Sequence, residues 1–178
     1  FLDLQGPLNT LLMNWGWISH PINFIGASAN ATVARITVIV VNMWIGIPVS
    51  MLTSTAIIQN LPQDQIEAAR MDGANPFQVF RHITFPQILF VMAPALIQQF
   101  IGNINNFNVI FLLTGGYPMN NNYNGAGDTD LLVTWLYNLV FGQTQRYNAS
   151  AVLGILIFII SATVSLLAYR RTNAFKEG

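Results

Sequence analysis

The sequence predicts an all-α membrane protein with three transmembrane helices, and the distribution of charge is the main reason. Only 8% of the 178 residues are Asp, Glu, Lys or Arg, whereas soluble domains carry about 25%. Three runs of 23, 27 and 23 residues contain no charged residue, at 36–58, 87–113 and 147–169. Because about 20 apolar residues cross the roughly 30 Å of hydrocarbon in a bilayer, each run is long enough to span.

The N-terminal region differs from the long apolar runs that follow it. Residues 1–32 hold a short apolar stretch with two tryptophans, Trp15 and Trp17, and indole rings favour the membrane–water interface. We therefore expect an interfacial segment there. The three spans are expected at about 34–58, 86–113 and 149–169.

The two connecting loops decide the topology. The first is the polar loop 59–86, and the second is the outer loop 114–148. The outer loop contains an apolar stretch, 131–142, that is too short to cross the membrane. We predict a short helix there. If that stretch does not cross, five of the seven basic residues share a side with the polar loop and the C-terminus. These five are Arg70, Arg81, Arg170, Arg171 and Lys176. The positive-inside rule then places the polar loop and the C-terminus in the cytoplasm.

Several classes of function lack the residues they need. The sequence has no cysteine, and its two histidines, His20 and His82, are isolated, so neither a catalytic nor a metal site is predicted. No basic patch is available to neutralise phosphates, so nucleic acid is not expected as a partner. The sequence has no Gly-x4-Gly-Lys-Ser/Thr motif, so a P-loop for ATP is not expected in this chain.

The polar loop carries capping signals for two short helices. The first is predicted over 62–72 and is ended by Gly73, because glycine readily adopts the left-handed conformation found at helix C-termini. The second is predicted to begin after Asn75, with Gln78 completing a capping box, and to stop before Pro86. Such a helix pair could insert into a partner's cleft or fold against its own spans, and these residues alone leave both alternatives open.

The same loop contains a long motif with fixed spacing. It reads Glu67-Ala68-Ala69, then Gly73 after three residues, then Ile83-x-Phe85-Pro86 after nine more. The pattern resembles the EAA loop of the permease subunits of bacterial ABC importers, which have Leu at the position of Phe85. The resemblance implies a coupling helix that docks on a separate ATP-hydrolysing subunit. The residues implied in docking are Glu67, Ala68, Ala69 and Gly73. ATP and Mg²⁺ would then bind to that partner, and this chain would be a transport subunit without a cofactor, not an enzyme.

Further strings along the chain resemble the maltose and maltodextrin permeases of the MalF type. They are Asn42-x-Trp44-x-Gly46-x-Pro48, Asn105-Asn106-Phe107, Leu112 to Gly116, and Thr129 to Val133. The resemblance implies the core of a type I ABC importer permease, with residues 1–178 as the C-terminal part of one transmembrane domain. The cargo implied is maltodextrin or a related oligosaccharide. The implied partners are a second permease in a heterodimer, two ATP-binding subunits, an extracellular or periplasmic sugar-binding protein, and the lipid of the bacterial cytoplasmic membrane.

Amide side chains recur within the predicted spans. Gln99, Asn103 and Asn106 follow i, i+4, i+7 spacing and would share one face of a helix, while Asn42 is the matching residue in the first span. Polar side chains at membrane depth are costly unless they face a partner or a wet cavity. These amides either hydrogen-bond between helices or line a path for a neutral sugar, and the residue pattern alone does not choose between the two.

The resemblance to maltose permeases implies sugar contacts at defined positions of both spans. They are Asn42, Ile45, Gly46, Val49, Gln99, Gly102, Asn103 and Asn106. Val49 and Gly102 stand where that family has aromatic residues, which stack on sugar rings. The chain would therefore take a different or longer oligosaccharide, or it would leave selectivity to the binding protein.

Two other classes of membrane protein are alternatives to the importer. An ion-coupled secondary transporter or channel usually places an ionisable residue within a span, and the three uncharged runs contain none. A membrane scaffold would use the span amides only for packing. Uptake that depends on ATP separates the importer from both alternatives.

Overall fold

The computed structural model describes residues 1–142 and 145–171, which form helices joined by turns, with an isolated β-bridge between Met119 and Gly127. Lys176, which the topology prediction uses, lies outside the described residues. Three helical stretches in the described chain are long and apolar enough to cross a membrane: Ala31–Gln59, Pro76–Leu113 and Tyr147–Ala168. The predicted all-α fold with three membrane-spanning helices is confirmed.

Eight α-helices are assigned in the described residues. Their bounds are α1 Pro7–Asn14, α2 Ala31–Gln59, α3 Gln63–Met71, α4 Pro76–Val79, α5 Phe85–Ile104, α6 Phe107–Leu113, α7 Leu132–Phe141 and α8 Tyr147–Arg171. A π-helical turn, Phe80–Thr84, follows α4, and a short 3₁₀ turn, Asn121–Tyr123, precedes α7. The chain divides into two compact units, Phe1–Trp44 with Ile104–Ile160, and Ile45–Asn103 with Ser161–Gly178, the last of which is described as far as residue 171.

The first unit is held together at its N-terminal end by Asn9. This residue is fully buried, its Nδ2 donates to the Ile22 carbonyl at 2.8 Å, and its Oδ1 accepts from the Ile22 N–H at 2.9 Å. Both the nitrogen and the oxygen of the buried side-chain amide are therefore hydrogen-bonded. These bonds fix α1 to the segment that leads to α2. Trp15 and Trp17, just after α1, remain exposed.

The outer loop of the same unit has a polar core of its own. The hydroxyl groups of Thr114 and Thr129 lie 2.8 Å apart, and both threonines are buried. Arg35 of α2 donates to both the carbonyl and the carboxylate of Asp128, each at 2.8 Å. A β-carbon at Gly116 would lie 2.5 Å from Asp130 Oδ1, so only glycine fits there. These contacts order the loop that leads to α7.

The predicted stop before Pro86 is wrong. The chain passes from α4 through the π-helical turn directly into α5, whose second residue is Pro86. A proline within a regular α-helix lacks an N–H and its ring collides with the carbonyl four residues earlier. The π turn is wider, and within it the Phe85 N–H donates to the Phe80 carbonyl. This local widening gives the proline ring space, so the helical path continues.

The second predicted span, 86–113, is also not one continuous helix. α5 ends at Ile104, and Asn106 caps the start of α6 by accepting from the Val109 N–H at 3.4 Å. Two consecutive asparagines explain the break, because their side chains compete for backbone hydrogen bonds and favour caps over helix interiors. The predicted alignment of Asn106 with Gln99 and Asn103 on one helix face is therefore wrong.

Candidate functional site

The residues of the EAA motif lie on and just after α3. No residue of α3 is buried, and the side chains of Glu67 and Ala68 are exposed while Ala69 is half-buried. After α3 the Gly73 N–H donates to the Arg70 carbonyl and the Ala74 N–H donates to the Ala69 carbonyl, both at 3.0 Å. This pair of bonds is a Schellman motif, which requires a left-handed residue. Gly73 supplies it with a φ of +83°.

The start of α4 confirms the predicted capping box. The Asn75 side chain accepts from the Gln78 N–H at 2.8 Å, and the Gln78 side chain accepts from the Asn75 N–H at 2.9 Å. The end of α3 and the start of α4 are thus both closed by hydrogen bonds, with Gly73 and Ala74 between them. α3, α4 and the hydrogen-bonded turn between them therefore form a structured helix pair, residues 63–79, which is called the elbow below.

Large apolar side chains are exposed on this elbow. Met71 is 87% exposed and Phe77 is 68% exposed. Phe77, Phe80, Arg81 and Phe85 line an open cavity of about 460 Å³. Large exposed apolar groups that are close together mark sites of interaction with proteins or membranes. The exposed motif residues of α3 and this aromatic cavity belong to the same stretch of chain.

One side-chain contact links α3 to the start of α5. Gln87 Nε2, in the first turn of α5, donates to Gln65 Oε1 of α3. Sequence reasoning assigned no role to either glutamine. The available signal was weak: Gln87 is a polar residue at the first position after the motif's closing proline.

The amides of the first unit form a direct pair. Asn106 Nδ2 donates to Asn42 Oδ1 at 2.7 Å, while Asn106 Oδ1 caps α6. The two predicted sugar contacts of this unit are therefore brought together, and the pair connects α2 to the break between α5 and α6.

The second unit contains a separate polar network that includes a residue missed from the sequence. Gln99 Nε2 donates to Ser50 Oγ at 2.9 Å, and Ser50 Oγ donates to the Gly46 carbonyl at 3.0 Å. Asn103 Nδ2 donates to the Gln99 carbonyl at 2.8 Å. Ser50 thus joins two residues to which the resemblance assigned sugar contacts, Gly46 and Gln99. Its sequence signal was its place one helical turn after Gly46 and directly after Val49.

The other residues of the second unit that are predicted to contact sugar are not packed against other parts of the described chain. Ile45 and Val49 are more than half exposed. A β-carbon added at Gly46 or Gly102 would meet no described atom within 4 Å beyond its immediate helical surroundings. Packing within the described chain therefore does not explain why these two positions are glycine. The open space at these glycines, beside the polar network of Ser50 and Gln99, would accommodate a ligand or a second subunit.

The chain is similar to a known family of transport proteins over most of its length. Residues 10–174 match the family described as binding-protein-dependent transport system inner membrane component. The chain belongs to this family. Together with the three apolar helices, membership makes it an integral membrane protein, and the importer-permease resemblance carried by the EAA motif is confirmed.

Individual relatives are similar over most of this chain. The maltodextrin transport system permease protein MalC of Streptococcus pneumoniae serotype 4 is 41% identical over 144 residues, which are 81% of this chain and 33% of that protein. The galactooligosaccharides transport system permease protein GanP of Bacillus subtilis is 40% identical, over 83% of this chain and 35% of its own length. MalF, the maltose/maltodextrin permease protein of Escherichia coli K12, is 37% identical, over 88% and 29%.

This member of the family spans about a third of the length of those curated relatives. A solved structure is also similar, described as that of a bacterial ABC transporter involved in the import of the acidic polysaccharide alginate. It has a TM-score of 0.80 and 23% identity, over 99% of this chain and 58% of that one. At that identity the likeness shows the fold alone, which is that of an ABC importer permease.

Proposed function

We propose that this chain is part of the transmembrane permease of an ATP-driven, binding-protein-dependent importer that moves maltodextrin or a related oligosaccharide into the cell. The observation that carries the proposal is the family match over residues 10–174 of a chain with three membrane-spanning helices and a capped EAA helix. The named relatives transport maltodextrin, maltose and galactooligosaccharides, which supports a neutral oligosaccharide as cargo.

We propose that the elbow formed by α3 and α4 couples this chain to ATP hydrolysis. A separate ATPase subunit would dock on Glu67, Ala68, Ala69 and Gly73, where small side chains permit close approach. The exposed Met71 and Phe77 would be covered at the same time, which would remove apolar surface from water. Closure of the ATPase dimer would then displace the elbow and bias the permease between its inward-open and outward-open states, provided that the docked partner contacts the two states differently.

The proposed assembly contains a second permease subunit, two ATP-binding subunits and an extracellular or periplasmic sugar-binding protein. ATP and Mg²⁺ would reside on the ATP-binding subunits. We place the complex in the bacterial cytoplasmic membrane with the elbow and the C-terminus on the cytoplasmic side, because the positive-inside rule favours that orientation.

The proposed sugar path uses the amides of the spans. The proposed contacts of the first unit are Asn42 and Asn106. Those of the second unit are Gln99 and Asn103, beside the apolar or open positions Ile45, Gly46, Val49 and Gly102. Neutral amides both donate and accept hydrogen bonds, so they match hydroxyl groups without trapping a charge. Val49 and Gly102 lack the aromatic rings that stack on sugar in the maltose permeases, so we propose that the cargo is a different or longer oligosaccharide or that the binding protein sets the selectivity.

Reconstitution of the full-length permease with its partner subunits tests this function. Proteoliposomes would be supplied with the binding protein and with maltose, maltotriose or a galactooligosaccharide. We expect ATP hydrolysis to be stimulated by at least one of these sugars and sugar uptake to require ATP. Uptake that proceeds without ATP, driven by an ion gradient, would contradict the proposal in favour of a secondary transporter.

A further inference from the structure

Ser50 has a hydrogen-bonding arrangement that restricts its neighbour Gln99. A serine hydroxyl has one hydrogen to donate and two lone pairs to accept with. Ser50 donates its hydrogen to the Gly46 carbonyl in its own helix, at 3.0 Å. Its oxygen can therefore meet Gln99 only as an acceptor, and Gln99 presents Nε2 to it at 2.9 Å.

This restriction sets which end of the Gln99 amide faces Ser50. The Nε2 end is engaged, which leaves Oε1 and the second Nε2 hydrogen for other groups. The main chain of Gln99 is also engaged, since its carbonyl accepts from Asn103 Nδ2 at 2.8 Å. An amide held in this way offers one acceptor and one donor in a defined direction, which is the pattern that a sugar hydroxyl can satisfy.

A cavity lies beside the same residues. It has a volume of about 280 Å³, and its lining includes Val49, Ser50 and Gln99. Met92 and Leu96 add apolar surface, and Gln98 adds a second amide. A pyranose ring has an apolar face of C–H groups and a rim of hydroxyls, so a cavity that is apolar on most of its lining with a few placed polar groups fits it.

We propose that Ser50 is a positioning residue for substrate recognition: it fixes the orientation of the Gln99 amide at a cavity that holds one pyranose ring of the transported oligosaccharide. The inference rests on the proposed function of the chain as a sugar permease. It adds a residue that makes no hydrogen bond to the sugar itself and acts through Gln99.

The test compares full reconstituted importers carrying Ser50→Ala, Gln99→Leu or both. ATP-driven uptake of maltotriose is measured against a panel of analogues that each lack one hydroxyl. The preference of the binding protein is common to all variants and cancels in the comparison. A purely structural role for Ser50 would lower all uptake rates together and would leave their ratios unchanged.

We expect Ser50→Ala to reduce discrimination against at least one deoxy analogue by about two- to tenfold, the effect of losing one hydrogen bond. The double variant should discriminate no worse than Gln99→Leu alone, and Ser50→Thr, which keeps the hydroxyl, should retain most of the discrimination. Thr55→Val is the matched control, because the Thr55 hydroxyl also donates to a carbonyl of α2, that of Met51, at 2.8 Å.

The possible failures are distinguishable. If Gln99→Leu changes the ratios and Ser50→Ala does not, the positioning role of Ser50 is overturned. If neither variant changes them, Gln99 does not contact the sugar and the inference fails with that part of the proposed path. If the wild-type importer shows no ATP-driven sugar uptake, the proposed function fails, and this inference with it.

Discussion

Gly73 determines how the chain leaves α3. Its φ of +83° lies in the left-handed region, and both hydrogen bonds of the Schellman motif depend on that conformation. A β-carbon at this position would meet nothing within 4 Å in the described chain. The requirement for glycine is therefore conformational, because an L-residue in the left-handed region costs about 1–2 kcal/mol.

Substitution of Gly73 should weaken docking in a graded manner. We expect Gly73→Ala to leave the left-handed conformation when undocked, so that docking must restore it at a cost of about 1–2 kcal/mol and the affinity for the ATPase subunit falls by about 5- to 30-fold. Gly73→Asn should lower it less, because asparagine tolerates the left-handed region. Co-purification of the assembled complex at graded ATPase concentrations measures both. Gly154→Ala in α8, whose β-carbon would make an ordinary 3.5 Å contact with Leu136, is the control. Equal affinities for wild type and Gly73→Ala would contradict the role of this turn in docking.

The elements between the first two spans form a connected path. α3 contacts α4 and the π-helical turn Phe80–Thr84, and that turn leads without interruption into α5. The Gln65–Gln87 contact adds a direct bridge from α3 to the first turn of α5. Since no residue of α3 is buried, we expect these contacts to carry any movement of α3 to the membrane-spanning helix.

Loss of the Gln65–Gln87 contact should therefore uncouple hydrolysis from transport. We expect Gln65→Leu and Gln87→Leu each to lower the amount of sugar moved per ATP by about two- to tenfold, the range that a net hydrogen bond of about 0.5–1.5 kcal/mol allows. Binding of the ATPase should be retained. Parallel assays of uptake and phosphate release in proteoliposomes give the ratio.

A double-mutant cycle identifies the cause of that effect. If the two glutamines act through each other, the double variant is no worse than either single variant. Gln63→Leu, at an equally exposed position of α3, should leave the ratio at its wild-type value. Additive losses in the double variant would show that the two side chains act independently and that the bridge has no role in coupling.

At the scale of the whole molecule, the membrane-spanning segments can be predicted from the sequence more readily than the hydrogen bonds of individual side chains. Long uncharged runs identify three spans because hydrocarbon tolerates little else over that length. Gly73 and the Asn75–Gln78 capping box are local signals, and both are found where predicted. The break at Asn106 results from competition between local and helical hydrogen bonds, and the π turn gives space to the ring of Pro86; hydropathy registers neither.

The polar network of Ser50 shows a different limit. A serine hydroxyl can satisfy itself on its own helix, so nothing in the sequence shows that Ser50 also receives a bond from Gln99, 49 positions away. Its partner becomes visible only when the two helices are placed together. The family resemblance implies which positions contact a ligand, but it does not indicate the serine that is hydrogen-bonded to one of them in this chain.

The predicted orientation of the whole protein in the membrane can be tested by labelling single cysteines, because these 178 residues contain no cysteine of their own. Single cysteines would replace Met71 at the end of α3 and Asn122 in the outer loop, both exposed, in a full-length permease expressed without its ATP-binding subunits and with any other cysteines removed. A membrane-impermeant maleimide should label Met71→Cys only in inverted vesicles and Asn122→Cys only in intact spheroplasts, because the basic residues favour a cytoplasmic elbow. Labelling after solubilisation in detergent confirms that both thiols are reactive. Labelling of both from the same side would contradict the three-span topology, which requires a single crossing between them.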